Sequence, residues 1–527
     1  MKPTSRLPIC LLAILCWQFI SPASAPGGEL DDEIAAIMKR PLFKGSSFGI
    51  LVTELRGGRI VYSHRPLALQ APASTTKLVS CAGALGLLGK DFRFHTRVIR
   101  TGELEKGVVN GDIVLIASGD PNLSQRPDKN DRLRFVDRDH SYAGFSEADL
   151  VPGDPLQVLR KLAEDVAGKG VTEIKGDVVV DDGLFKETTD SFVGRFSAIC
   201  INDNLVDFTI RPGGKAGDKA VASWRPNLSP VKVMIQARTV EAGGTRRLWV
   251  ETTDGPASFV VKGTIPIDSS STVRVGRFAN PAISAAHLFA ALLENEGIKI
   301  NGGRQQAVFG PTVYKDYDEV ARHISPPFSE SVRVTLKVSH NLHATMYPVL
   351  IGALKGKRGN RAGGYGAISD FFAAGGLDVN SVFLNSGSGG GRSDSLSARF
   401  LVDLLHFMAK RKDFAQFFDA LPIGGIDGTI SARFKNSPLW GRVRAKTGTL
   451  VYKGSFNNQW IYLSKALSGY MDLRTPDRPD DMLCFTILIG NTVTPDRSRG
   501  VKELFGAQED ILKAIERHWN KPARAKR

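Results

Sequence analysis

Three short runs of this chain combine residue types that could transfer an acyl group: Ser74-x-x-Lys77, Ser339-x-Asn341 and Lys446-Thr447-Gly448. On a helix, i and i+3 spacing sets the Ser74 hydroxyl and the Lys77 ammonium on one face. A lysine packed into a cleft wall loses hydration, its pKa falls, and it can take the serine proton near neutral pH. The start of a helix adds backbone N–H groups and positive potential where an oxyanion would form. A serine activated in this way is a nucleophile without any histidine. The third run lies in Arg442–Leu450, which alternates like a half-buried strand. Gly448 has no side chain, so a ligand can come close to the strand edge. Lys446, Thr447 and Thr449 offer a cation and two hydroxyls to a carboxylate, and the alternation puts Lys446 on one face with Arg442 and Arg444. Like charges gathered there suggest an anionic partner.

Each motif is weak alone. Ser-x-x-Lys recurs at Ser229–Lys232 and Ser-x-Asn at Ser455–Asn457, so the surrounding elements must separate candidates from accidents. Ser74 opens a segment whose Leu78, Cys81, Ala82, Leu85 and Leu88 share a helical face, with Pro72 before it and Gly89 after it as helix punctuation. Ser229 is followed by Pro230 in a strand-like stretch. Upstream, a first helix is expected near Asp32–Lys39. Then Phe48–Leu55 and Arg59–His64 flank Gly57-Gly58 and read as a β-hairpin.

From about 90 to 280, short alternating segments (Gly107–Ile116, Ile174–Val180, Leu248–Lys262) and Gly/Pro/Asp turns indicate a β-rich insertion, in two subparts. Within it, Gln125–Leu150 is charged, poor in apolar residues and expected to be an exposed loop. Helical periodicity returns at Asn280-Pro281. Helices are expected over Leu396–Lys410 and Val501–Arg517, and strands over Arg442–Leu450, Ile461–Tyr470 and Met482–Ile489. The plan is one discontinuous α/β domain, residues 26–88 and 281–520, interrupted by the insertion at 89–280.

Composition bounds the rest. The chain has 527 residues, 42% hydrophobic and 23% charged, which excludes a disordered, collagen-like or polytopic membrane protein. Lys2 and Arg6, an apolar run from Leu7 to Ile20 and the small residues up to Ala25 form the parts of a secretory signal peptide, residues 1–25. The apolar run is short for a membrane span. Its removal leaves 67 basic against 54 acidic residues, a net charge of +13. It also leaves Cys81, Cys200 and Cys484, whose apolar surroundings suit buried small hydrophobes rather than a disulfide framework or a zinc site. The basic tail at 521–527 has no apolar face and is expected to be solvated.

The three motifs in this order are those of the penicilloyl serine transferases. The longer context resembles the D-alanyl-D-alanine carboxypeptidase/endopeptidases of the class C low-molecular-mass penicillin-binding proteins. The residues that carry the resemblance begin with Ala73–Leu78, Gly119–Ser124 and Gly176–Asp182. They continue with Ser386–Gly389, Leu396–Arg399, Leu421–Thr429, Arg444–Leu450 and Leu467–Tyr470. The 265-residue separation of Ser74 from Ser339 also fits that branch, which carries a large insert there.

The resemblance implies a serine β-lactamase/transpeptidase-like domain, an antiparallel sheet flanked by helices. It implies that Ser74 attacks the penultimate D-alanine carbonyl, with Lys77 as base. Ser339 would relay a proton to the departing amine, and Asn341 would bind the substrate backbone. Lys446, Thr447 and Thr449 would hold the terminal carboxylate beside Gly448, and the N–H groups of Ser74 and Thr449 would form the oxyanion hole. The implied partners are peptidoglycan peptides in the periplasm, with β-lactams as covalent inhibitors. No metal or organic cofactor, no nucleic acid and at most peripheral membrane contact are implied.

The chain departs from the family in three places. His340 stands where the middle motif usually has Asp, and Ser386 where the Asp-Gly-Ser-Gly loop begins with Asp, which puts a local hydrogen bond in question. An additional aromatic stretch, Tyr452–Tyr462, lies close to the third motif. His340-Asn-Leu-His343 lacks the Glu of a metal helix, and the nine histidines show no ligand spacing. Gly387–Arg392 lacks the ending of a phosphate loop and reads as a rim of the site. Asp181-Asp182 reads as a strand end. The alternatives are a β-lactamase-like hydrolase using the same serine, for which no deacylating Glu is identifiable, and an inert relative that only binds peptidoglycan.

Overall fold

The computed structural model describes residues 28–356 and 358–521; the expected signal peptide and all but the first residue of the basic tail lie outside them. Among the described residues, no helix is long and apolar enough to cross a membrane.

The apolar runs at the two ends of the chain form one antiparallel sheet. Its strands run Ile60–His64, Ser47–Glu54, Met482–Gly490, Trp460–Asp472 and Val443–Lys453, and Thr492–Thr494 pairs with Trp460–Asp472. Met482–Gly490 is buried along its whole length, as a strand covered on both faces must be. One face is covered by the helices Glu29–Met38 and Arg497–Asn520, whose Ile34, Ile37, Leu504, Ile511 and Ile515 pack with Ile50, Phe485 and Ile487. On the other face, Ala398–Ala409 packs against the strands and Thr76–Leu88 lies at the centre of the second core. Every residue from Thr76 to Leu85 is buried, so this helix is enclosed on all sides rather than half-solvated. Its glycines let a neighbour come close: a Cβ at Gly83 would sit 2.7 Å from Ile368 Cγ2, on the helix Arg361–Ala374.

The inserted chain leaves after Leu88. Its five-stranded sheet has the order Arg304–Ala307, Val178–Asp181, Ile113–Ile116, His95–Arg100, Glu319–Ile324. A separate group holds the sheet of Leu205–Arg211 with Val221–Arg225 and Thr272–Arg277, and the sheet built on Ser258–Pro266. The return expected at 281 must be corrected. The helix Pro281–Asn295 packs on Gln157–Gly168 and Val178–Asp181, and Arg304–Ala307 and Glu319–Ile324, which follow it, complete the five-stranded sheet. The apolar periodicity at Ile283–Leu293 marks a helix truly enough, but periodicity does not say which sheet a helix covers. The inserted sheet is finished only at Ile324.

A second correction concerns Gln125–Leu150. Arg126, Asp139 and His140 are fully or almost fully buried, and Tyr142 reaches the active-site cleft. The segment's tip residues 129–132 and 144–147 are exposed as expected, but the three charged side chains are buried in ion pairs. Cys81, Cys200 and Cys484 are free and buried.

Candidate active site

The first two motifs meet through unusual backbone. Ala73, just before the serine, and Ser339 itself adopt positive φ (47° and 61°), a region costly to residues with a Cβ and found where a site demands it. Ser74 sits in a 3-10 turn, Ala73–Thr75, that runs directly into Thr76–Leu88. Lys77 therefore points back at it: Nζ donates to Ser74 Oγ, Asn341 Oδ1 and the Ser388 carbonyl, each at 2.8 Å. Lys77 is fully buried, and burial, reinforced by the Lys446 charge, holds its pKa well below the ordinary value. None of its partners is a carboxylate that would keep it charged.

The third motif lies on the strand Val443–Lys453, whose register places Gly448 opposite Ala466. Lys446 Nζ donates to Ser339 Oγ and to the Thr447 carbonyl, each at 2.8 Å, and burial pulls its pKa down to about 7. Thr447 Oγ1 donates to Thr429 Oγ1 at 3.0 Å. A Cβ at Gly448 would lie 2.6 Å from the Pro72 carbonyl and 3.2 Å from Ala73 Cβ. Glycine here therefore lets the strand lie against the turn that carries the nucleophile. The three motifs, far apart in sequence, line one cleft of about 210 Å³ with Ser74, Ser339, Asn341, Thr447 and Thr449 on its walls. The accidental copies stay outside it: Lys232 is exposed, and Ser455–Asn457 form the exposed tip of the hairpin.

One inference from alternation does not hold. Arg444 pairs with Asp419 at 3.3 Å and lies 4.6 Å from the centre of the Phe418 ring, so it is engaged by the next helix, not free for a ligand. The cation of this strand that reaches the other motifs is Lys446, through Ser339.

Sequence reasoning missed four contributors. Tyr142, from the insertion, donates to the Ser339 carbonyl at 2.6 Å and accepts from Asn341 Nδ2 at 3.3 Å; burial pushes its pKa up to about 12, so it remains a donor. Phe192, also from the insertion, forms part of the cleft wall with Gly390 and Leu450. Thr429 and Ser388 lay in quoted motifs without an assigned role. No local signal marks Tyr142 or Phe192, because only the return of the insertion to the cleft brings them there.

Two of the departures acquire structural explanations. Ser386 Oγ accepts from the N–H groups of Ser388, Gly389 and Gly390 at 3.1–3.3 Å, so a hydroxyl holds the rim loop where an aspartate would. His340 caps the helix Asn341–Leu354, its Nδ1 accepting from the His343 N–H at 3.3 Å. The aromatic stretch lengthens the hairpin of Val443–Lys453 and Trp460–Asp472. The Arg392 guanidinium lies 3.9 Å from the centre of the Tyr452 ring, joining the rim loop to this hairpin. Asp181 and Asp182 are bound to local donors, among them Tyr314 OH, Ser197 Oγ and Gln306 Nε2.

Behind the middle motif lies a buried cluster of Arg126, Asp139, His140, Asp203, Asp207 and His343, closed by His340. Asp139, His140, Asp203, His340 and His343 are close enough in space to suggest a metal centre, yet both oxygens of Asp203, at its middle, are already taken. His340 Nδ1 accepts a backbone N–H, so a neutral ring carries its proton on Nε2, which faces Asp203 at 3.3 Å. His343 Nε2 is 2.6 Å from the same oxygen, and Arg126 and His140 occupy the other. An arginine already supplies the cation, so the donor set does not fit a metal ion.

Sheet, central helix and cleft define a serine acyl-transfer enzyme of the penicilloyl serine transferase fold. The family model for D-Ala-D-Ala carboxypeptidase 3 (S13) matches residues 30–501, and the chain belongs to that family of serine carboxypeptidases. It is 27% identical over 517 residues to the D-alanyl-D-alanine carboxypeptidase of Actinomadura sp. strain R39, covering 92% of this chain and 84% of that protein. It is 23% identical to the D-alanyl-D-alanine carboxypeptidase DacB of Haemophilus influenzae, covering 80% of this chain and 83% of that one. The crystal structure of penicillin binding protein 4 from H. influenzae superposes with a TM-score of 0.71 at 21% identity, over 90% of this chain and 98% of that one.

Proposed function

We propose that this protein is a periplasmic D-Ala-D-Ala carboxypeptidase that trims peptidoglycan stem peptides through an acyl-enzyme on Ser74. The observation that carries the reading is the 2.8 Å contact of a fully buried, readily deprotonated Lys77 with Ser74 Oγ. Neutral Lys77 takes the Ser74 proton as Oγ bonds to the penultimate D-alanine carbonyl carbon. The developing oxyanion faces the N–H groups of Ser74 and Thr449. As the C–N bond breaks, the proton passes through Ser339, which Lys446 touches, to the departing amine. Asn341 orients the peptide, and Lys446, Thr447 and Thr449 hold its terminal carboxylate beside Gly448. Water then attacks the ester, releasing the shortened peptide and restoring the Ser74 proton. Residues 28–88 and 325–521 form the catalytic body on this reading, and the insertion contributes Tyr142 and Phe192 to the cleft. The N-terminal signal directs export, and the basic surface suits an anionic wall. The relatives' names and a β-lactam complex of the H. influenzae protein support both the peptide substrate and acylation by β-lactams.

The test is mass spectrometry after incubation with a β-lactam. A stable adduct on the wild type, absent from Ser74→Ala, together with D-alanine release from a pentapeptide, is expected. No adduct, or one that survives the substitution, would sink the reading.

A further inference from the structure

A third lysine lies behind the cleft. Lys465 sits on Trp460–Asp472 directly across from Thr449 and is 3% exposed. Its Nζ donates to Thr449 Oγ1 at 2.7 Å and lies 3.9 Å from the centre of the Phe505 ring. Among the described residues, no carboxylate lies within ion-pair distance of it. Its charged neighbours are the cations Arg433 and Lys446, and Arg433 is itself paired with Glu509 at 2.9 Å.

A buried ammonium without a counter-ion is destabilising, so Lys465 holds its charge only when an anion from outside the folded chain comes near. The hydrogen bond shows where that anion would come. Charged lysine has no lone pair to offer, so Thr449 Oγ1 must accept from it. The threonine's own proton is then free to point into the cleft, whose wall Thr449 forms. Once charged, Lys465 turns an ambivalent hydroxyl into a fixed donor and places positive charge behind it.

We propose that Lys465 is a positioning residue that makes the site select peptides ending in a free α-carboxylate over chains that continue or are capped. The proposal rests on the carboxypeptidase reading and deepens it by naming what biases the cleft toward chain ends rather than internal cross-links. The aromatic face of Phe505 helps to hold the charge. Burial, followed by the charges of Arg433 and Lys446, holds the lysine's pKa well down in the empty site, and an incoming carboxylate favours its charged form.

The test compares acylation rates of the full chain by benzylpenicillin and by its methyl ester, which differ in the carboxylate alone. In Lys465→Met the acid-to-ester rate ratio is expected to fall about tenfold, the change that follows from loss of one nearby charge. A purely structural role would slow both compounds alike and leave the ratio in place. Lys465→Gln, which keeps an N–H for Thr449 but no charge, is read in the same way should the methionine variant fail to fold. A ratio within about twofold of wild type in either folded variant overturns the proposal. Absence of any adduct on the wild type defeats the serine-peptidase reading instead, and this one with it.

Discussion

Replacing Asp203 with alanine would open the ionic cluster behind the middle motif. Asp203 is 2% exposed and accepts from Arg126, His140 and His343 at 2.8, 2.7 and 2.6 Å. Burial pulls the His140 pKa down, but Asp207 and Asp203 outweigh it and the imidazole is pushed up to about 10. Three cations, Arg126, His140 and Arg225, therefore face three carboxylates, Asp139, Asp203 and Asp207. Removal of Asp203 leaves one uncompensated positive charge in the interior, at a cost of about 3–5 kcal/mol. Asp203→Asn retains an acceptor and should cost less, about 1–3 kcal/mol.

The pH dependence follows from the same shift. A histidine whose folded pKa is raised stabilises fully below its ordinary value of 6.5, and that contribution is lost as pH rises through about 10. Urea unfolding followed by tryptophan fluorescence across this window should show the wild type losing stability on the alkaline side, and Asp203→Ala starting lower with a flatter alkaline slope. Because His340 belongs to the cluster and stands between Ser339 and Asn341, β-lactam acylation should slow as well. A loss below about 1 kcal/mol, or an alkaline slope parallel to the wild type's, would refute the reasoning.

Two further outcomes follow from the cleft. Lys77 must be neutral to take the serine proton, whereas Lys446, pulled down to about 7 by burial, must be charged to hold a carboxylate. The acylation rate by a β-lactam should therefore rise with pH as Lys77 loses its proton and decline as Lys446 is neutralised above about pH 7; a rate that climbs steadily far into the alkaline range contradicts these roles. Gly448→Ala places a Cβ 2.6 Å from the Pro72 carbonyl and must push the strand away from the turn that bears Ser74. Acylation should fall by about tenfold or more and the unfolding midpoint should drop with it, and an unchanged rate would show that the close approach is dispensable.

Much of the site was legible because its chemistry sits in short, ordered signals. Ser74 and Lys77 lie on one continuous helical run, a 3-10 turn leading into a helix, and their 2.8 Å contact follows from i, i+3 spacing plus an enclosed apolar face. Period-two patterning likewise located the strands at 443–453, 460–472 and 482–490 to within a few residues. These are local rules, and local sequence carries them.

What the tertiary structure alone decided is of another kind. Gln125–Leu150 looked solvated because it is charged, and much of it is; Arg126 and His140 within it are buried because Asp203 and Asp207 come from elsewhere to pair with them. His340 stood out in the sequence only as a departure from a motif and proved to be the cap of Asn341–Leu354 and part of the ionic cluster. The periodicity at 281–293 announced a helix but not that it belongs to the inserted sheet. Tyr142 and Lys465 reach the cleft through pairings across 197 and 16 residues. A spacing rule can place two groups on one helix or strand, but charge closure and the meeting of distant elements are properties of the whole packed chain.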